Sequence, residues 1–368
     1  MREIRVLHIG MSPNYGGIES FVINMHRNIN ESIKFDFINI YNEKIAYQDE
    51  HVKLGSNIIE MTSRRKNPIK SNKELNKIIS DGKYDYVHFH CMNYCWPNPI
   101  IVPQKYENTQ VIVHSHLAGF DKNTPKKEKI LHQIGKFRIK STKFLRVACG
   151  EDAGNWLFKN QQFEIIENGI NIKEYRFNET YRNNNRKKYG INDDDILIGH
   201  VGNFSYQKNY EYLIDVFYEL YKINKKYKLM LIGDKNKSTE VLKKINEYKL
   251  KDNVIFTGII RNVNECYSAM DLFLFPSHYE GLSIAMIEAQ VSGLQCFCSN
   301  KLDKNTDIGG YVEFINIDDI AIDTAKKINK MYDKKIDRKS VVIPNNYSCE
   351  FSAKKLEKFY YKNLKGEF

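Results

Sequence analysis

Two acids with seven residues between them bracket a glycine turn in the stretch His278-Tyr279-Glu280-Gly281-Leu282-Ser283-Ile284-Ala285-Met286-Ile287-Glu288-Ala289. The apolar run 271–275, closed by Pro276, reads as a buried parallel strand, and residues 284–291 have helical composition that stops at Gly293. Glu280 then lies on the connecting loop and Glu288 a little over one turn into the helix. The backbone N–H groups of Leu282, Ser283, Ile284 and Ala285 open that helix without intrahelical partners, which suits a phosphate. Ionised carboxylates only accept hydrogen bonds, so the natural partners of Glu280 and Glu288 are hydroxyls, such as those of a sugar or a ribose. On spacing alone this reading stands level with a plain one, in which both acids are solvated.

The elements that must position these acids are legible as alternation. Short β-branched and aromatic runs at 4–9, 35–40, 57–60, 84–90, 110–115, 144–149 and 164–167 alternate with polar segments of helical period. A second series follows at 196–201, 228–232, 253–257, 271–275, 295–299 and 312–315. The pattern predicts α/β architecture with two doubly wound, Rossmann-like domains and a ligand cleft between them. The polar segment 173–195 divides the two series. A chain of 368 residues, 42% hydrophobic and 27% charged, can build two full cores and is not disordered.

Composition also narrows the surroundings. No apolar run of about 20 residues is present to span a bilayer. The charged start Met1-Arg2-Glu3 reads as the approach to a first strand rather than a signal peptide, so a cytoplasmic protein is expected. Seven cysteines, Cys91, Cys95, Cys149, Cys266, Cys296, Cys298 and Cys349, lack a paired zinc spacing and mostly border apolar runs, as reduced core thiols do.

The Glu280-x7-Glu288 segment, with Ser292-Gly293 behind it, resembles the signature of the retaining family 4 glycosyltransferases of GT-B fold, and within them the bacterial exopolysaccharide and capsule enzymes. Gly16-Gly17-Ile18-Glu19-Ser20, His114-Ser115-His116, Asn168-Gly169-Ile170-Asn171, Gly199-His200-Val201-Gly202, Gln207-Lys208-Asn209 and Leu231-Ile232-Gly233-Asp234 match in the same order. The resemblance implies an acceptor-binding domain over 1–175, a nucleotide-sugar domain over 190–345, and a last helix, 346–368, returning to the first. It implies that Glu280 contacts the transferred sugar and Glu288 the ribose, with Gly281, Leu282, Ser283 and Ile284 around the diphosphate. Gly16, Gly17 and His116 would face the acceptor, with Gly17 also near the donor phosphates. No cofactor and no metal are implied; the nucleotide sugar, UDP-linked by family default, is a co-substrate.

Two departures and two competing motifs need weighing. The turn Gly10-Met11-Ser12-Pro13-Asn14-Tyr15-Gly16-Gly17 is not G-x-G-x-x-G, which argues against a nicotinamide enzyme. Lys208, in a short loop after the strand 196–201, is the candidate cation for a leaving diphosphate. The family carries an Arg just after the glycine of that loop, where this chain has Asn203; Arg261, past Gly258, is the candidate substitute. Asp193-Asp194-Asp195 offers a D-x-D but precedes a strand in a charged segment and reads as solvated. His88, His90, His114 and His116 alternate along two strands and suggest a metal, yet no carboxylate converges with them; only His116 is taken as a site residue, a catalytic contact on the acceptor side, and the others as packing or hydrogen-bonding residues.

Net charge is +11, and residues 121–146 hold nine Lys or Arg against two acids, interleaved with Ile130, Leu131, Ile134, Phe137, Ile139 and Phe144. A basic amphipathic helix there suits anionic lipid at the inner membrane face, or else is a solvated helix face. No nucleic-acid module accompanies the charge. The expected function is a retaining, metal-independent hexosyltransferase acting on a lipid-linked or oligosaccharide acceptor. A binding-only partner of another transferase and a non-hydrolysing sugar-nucleotide epimerase remain as alternatives.

Overall fold

The computed structural model describes residues 2–120, 124–234, 239–332 and 336–364. They form two compact units, one running up to Ile170 and resuming at Asn346, the other Asn171–Asn345.

The first unit is built on a seven-stranded sheet: β1 (Ile4–Ile9), β2 (Ile33–Asn39), β3 (Ile58–Glu60), β4 (Tyr86–Cys91), β5 (Gln110–Ser115), β6 (Leu145–Ala148) and β7 (Glu164–Ile165). Their order is β3-β2-β1-β4-β5-β6-β7, with every pair parallel. The second carries β8 (Ile196–Val201), β9 (Tyr227–Ile232), β10 (Val254–Gly258), β11 (Leu272–Phe275), β12 (Gln295–Ser299) and β13 (Val312–Ile315), ordered β10-β9-β8-β11-β12-β13 and again all parallel. These are two doubly wound sheets, as the alternation predicts. Strand order reverses between β1 and β4 in one and between β8 and β11 in the other. Such switch points leave a crevice at the carboxyl ends of the strands, where ligands of open α/β sheets bind.

The inner strands β11 and β12 are buried throughout, as strands covered by helices on both faces are, and so read as apolar runs. In the second sheet, Leu229, Leu231, Leu272 and Leu274 pack one face against the helix Tyr210–Ile223, while Met230, Phe273 and Phe275 pack the other with Met286 and Ala289. The last helix, Cys349–Asn363, is capped by Ser348, whose hydroxyl accepts the Phe351 N–H. Its Ala353, Leu356 and Tyr360 join the core of the first unit beside Phe21 and Met25 of the helix Gly17–Asn28. Six cysteines are buried, Cys95 is half-buried, and none is in a disulfide.

The polar segment 173–195, which divides the two strand series, is itself structured. It folds as the helices Ile172–Tyr175 and Glu179–Lys188 inside the second unit. Arg182 and Arg186 reach Asp271 at 2.6 and 3.0 Å, and Arg186 also donates to the carbonyls of Ala269 and Asp195. Asp195, expected in solvent, is buried and accepts the Asn192 N–H. Composition alone does not distinguish a solvated charge from one satisfied inside a fold.

Candidate functional site

In the second unit, two loops meet at the switch point. The loop after β8 ends in a single 3₁₀ turn, Tyr206–Lys208, released by Asn209 at φ 53°. The loop after β11 runs through Glu280 to the helix Ile284–Val291. They are zipped together: the Gln207 carbonyl accepts the His278 N–H at 2.8 Å, Tyr206 stacks on His278 with ring centres 4.3 Å apart, and Gln207 donates to the Tyr279 carbonyl and the Glu280 carboxylate. Lys208 Nζ lies 2.8 Å from Glu280 Oε1 and 4.4 Å from the centre of the Phe275 ring. With side-chain exposures of 14% and 8%, the pair is largely removed from water. Gly202 makes room for it, since a Cβ there would meet the Lys208 stem at 2.9 Å.

Behind this pair the helix begins without a side-chain cap. Ser283 is buried and extended, and makes no cap hydrogen bond, so the first N–H groups of the helix have no side-chain acceptor from that position. Glu288 is buried one turn on, with Tyr267 Oη donating to it at 2.9 Å and Tyr175 adding a second hydroxyl. Burial pushes its carboxyl up to about 7, against the two tyrosine hydrogen bonds, which favour the charged form. A carboxylate held by hydroxyl donors at the edge of neutrality is well matched to a further hydroxyl.

The first unit presents a different edge. Gly16 caps the helix Gly17–Asn28, and Gly17 is exposed with nothing within 4 Å of where a Cβ would stand. The turn before it is pinned by Glu19, whose carboxylate accepts from the Ser12 N–H at 2.9 Å and the Ser12 hydroxyl at 2.7 Å. His116 lies one residue past β5, half-buried, its Nε2 2.9 Å from His90 Nδ1. His90 Nε2 is in turn 2.9 Å from His8 Nδ1. A second branch runs from Tyr360 Oη to His88 Nδ1 at 2.7 Å and from His88 Nε2 to His114 Nδ1 at 3.1 Å. Burial lowers all five rings well below the usual histidine range, His88 and His116 to about 3.

Two trios of these rings, His8 with His88 and His90, and His90 with His114 and His116, bring ring nitrogens within 4.8 Å of one another. They fit a metal poorly. Tetrahedral zinc about 2.0–2.1 Å from each nitrogen needs those nitrogens about 3.4 Å apart, whereas the bonded pairs stand at 2.9 Å. That spacing is an N–H···N hydrogen bond.

The expected site residues thus fall into two groups. Lys208, Glu280, Gly281, Leu282, Ser283, Ile284 and Glu288 belong to the two loops and the helix at the β8/β11 switch point, while Gly16, Gly17 and His116 belong to the first unit. Asn203 is exposed just beyond β8, and Arg261 is exposed beyond β10. Sequence reasoning missed the partners. Tyr267 and Tyr175 carry no local signal of a role beside Glu288, and Gln207 was legible only as a neighbour of Lys208.

Two parallel α/β units, each with a switch point, make up a fold that this chain shares with solved GT-B glycosyltransferases. Residues 181–342, inside the second unit, match the family model Glycosyl transferases group 1. Among curated proteins, "Putative glycosyltransferase EpsF" of Bacillus subtilis (strain 168) is 29% identical over 83% of this chain and 81% of its own length. The Escherichia coli UDP-Gal:alpha-D-GlcNAc-diphosphoundecaprenol alpha-1,3-galactosyltransferase is 23% identical over 86% of each chain. Among solved structures, Anabaena HepE in complex with UDP and glucose superposes with a TM-score of 0.75, covering 98% of this chain and 99% of its own, at 13% identity.

Proposed function

We propose that this chain is a retaining, family 4 type hexosyltransferase that uses a UDP-linked sugar and a lipid-linked saccharide acceptor in exopolysaccharide or capsule assembly. The second unit is the donor domain and the first unit the acceptor domain. One observation carries the reading: the buried Lys208–Glu280 pair beside the start of the helix Ile284–Val291. A cation and the N–H groups at a helix start at one switch point suit a diphosphate, and the carboxylates of Glu280 and Glu288 suit the hydroxyls on either side of it. The ligands in the names of the relatives, UDP and glucose for HepE and UDP-Gal with a diphosphoundecaprenol saccharide for the E. coli enzyme, are consistent with that assignment.

As the bond from the anomeric carbon to the diphosphate oxygen breaks, the sugar gains oxocarbenium character and the diphosphate gains charge. Fixed positive groups aimed at that charge lower the barrier most. Lys208 and the N–H groups of Leu282, Ser283 and Ile284 supply them, so the transfer runs in EDTA. The acceptor hydroxyl attacks from the leaving group's face, its proton passing to a diphosphate oxygen, and His116 and Gly17 contact acceptor and sugar. Peripheral membrane contact at the cytoplasmic face is part of the proposal: on the helix Lys126–Arg138, Ile130, Ile134 and Phe137 are exposed among the lysines, Phe137 by 79%.

Thermal stabilisation by UDP, GDP and ADP in EDTA tests the reading, because a ligand at 100 times its Kd adds roughly 2.7 kcal/mol. A shift with UDP alone, followed by acceptor-dependent UDP release, is the expected result. Nucleotide-sugar conversion without an acceptor would identify an epimerase. Absence of any shift would favour a binding-only partner, the alternative that Asn203 at the Arg position supports.

A further inference from the structure

The geometry points to His8 and His90 as positioning residues that fix His116 in one tautomer, as a neutral donor presenting Nδ1–H to the ligand. The inference rests on the proposed acceptor-side role of His116, and it begins from an end effect. His8 Nδ1 faces His90, but His8 Nε2 is buried with no hydrogen-bond partner among the described residues. That ring is 1% exposed and packs on Phe35 and Phe37 at 4.2 and 5.3 Å between centres. A buried N–H with no acceptor is rarer than an unfilled lone pair, so the bare nitrogen of His8 is Nε2 and its proton sits on Nδ1.

The rest follows ring by ring, because each neutral imidazole has one N–H and one acceptor nitrogen. His8 Nδ1–H donates to His90 Nε2, which leaves the His90 proton on Nδ1. His90 Nδ1–H donates to His116 Nε2, which leaves the His116 proton on Nδ1. Burial keeps the rings neutral throughout the physiological range, so each carries a single N–H to assign. The backbone holds the middle ring in place: Gly10, at φ +115°, seats against the His90 carbonyl, 2.1 Å from where a Cβ would stand.

The consequence concerns chemistry at the acceptor edge. With its lone pair already filled by His90, His116 cannot take the acceptor proton; it donates a hydrogen bond to an oxygen of the sugar or acceptor. The ring is prevented from acting as a base by a residue, His8, that touches neither the ligand nor His116.

Histidine-labelled, nucleotide-free protein at pH 7.5 tests this by ¹⁵N NMR, whose shifts distinguish a protonated from a bare ring nitrogen. His116→Gln assigns the resonances. The expected spectrum has His116 protonated at Nδ1 and bare at Nε2; an Nε2–H or doubly protonated ring overturns the inference. His8→Phe, checked for native circular dichroism, should erase the fixed polarity and shift His116 toward a tautomer mixture, whereas a His116 signal unchanged in that variant overturns the role of His8. If His8→Phe does not fold, the wild-type spectrum alone decides. The tautomer readout does not use activity. An Nδ1–H tautomer together with an unimpaired transfer rate in His116→Gln would remove His116 from the site while leaving the imidazole chain intact.

Discussion

The two switch points of this molecule present opposite chemistry on similar frames. At β8/β11 a parallel sheet ends in charge: the Lys208–Glu280 pair, with Glu288 near neutrality behind it. At β1/β4/β5 a parallel sheet ends in neutral, mutually bonded imidazoles. In the proposed assignment the charged edge serves the diphosphate, which needs fixed positive groups, and the neutral edge serves the acceptor. The frame supplies position and the side chains past each strand end supply the electrostatics, so one architecture serves both demands.

The contrast makes the first unit the more sensitive to acid, because its depressed rings outnumber the one in the second unit, His200, and this is the largest effect expected. His8, His88, His90, His114 and His116 are all depressed in the folded first unit by burial. Their unfolded value is about 6.5. Neutral burial therefore contributes its full stability above 6.5, and that stability is lost as pH falls below 6.5 toward the folded values. Each ring costs about 1 kcal/mol over the first pH unit below 6.5, so five cost several kcal/mol. Both tryptophans, Trp96 and Trp156, belong to the first unit, so tryptophan fluorescence reports that unit alone. Fluorescence-detected unfolding should precede hydrogen-exchange opening of β8 to β13 as pH drops from 7 to 5. Simultaneous loss of both would break the comparison.

Next in size is the ion pair. Lys208→Met leaves Glu280 buried beside Gln207 without its cation, a type of loss that costs about 3–5 kcal/mol, and it should abolish UDP-dependent stabilisation. Adding Glu280→Gln should restore part of the denaturant midpoint and none of the transfer activity. Additive effects would mean the two side chains act independently.

Glu288 is the third test. Its folded value, about 7, lies above the unfolded value near 4.5. The sign is therefore the reverse of the usual carboxylate case: stability is greatest below the unfolded value and is lost as pH rises through 7, by about 3 kcal/mol at most. Glu288→Gln should flatten this decline between pH 5 and 8, measured by urea unfolding of the second unit, and should weaken UDP binding. A parallel pH profile in wild type and variant would show that Glu288 titrates normally.

The fold was legible where burial and composition coincide. Parallel strands covered on both faces appear as apolar runs, and the helix Ile284–Val291 was bounded by Gly293. What remained hidden was pairing over distance. Lys208 and Glu280 are 72 residues apart in sequence, and nothing local says that their loops zip together. The alternation of His88 and His90 was visible, but His8, which sets the direction of the chain, comes from another strand 82 residues from His90. The solvated reading of Asp193-Asp194-Asp195 holds for the first two, which are exposed, and fails for Asp195, whose carboxylate is turned inward onto the Asn192 N–H.

The smallest expected effect asks where the first unit keeps its charge. Its site edge is neutral, while the helix Lys126–Arg138 carries Lys126, Lys127, Lys129, Lys136 and Arg138 around exposed Ile130, Ile134 and Phe137. A basic residue near an anionic surface contributes about 1 kcal/mol, and apolar side chains entering the interface add to it. Charge reversal at Lys136, Arg138 and Lys140 should release the protein from vesicles containing anionic lipid and leave it unaffected toward neutral ones, as read by cosedimentation at fixed salt. Turnover with a water-soluble saccharide acceptor should be unchanged, because none of these residues belongs to the proposed acceptor edge at β1, β4 and β5. If soluble-acceptor turnover falls as well, the helix serves the site rather than the surface, and the division between a neutral edge and a charged exterior fails.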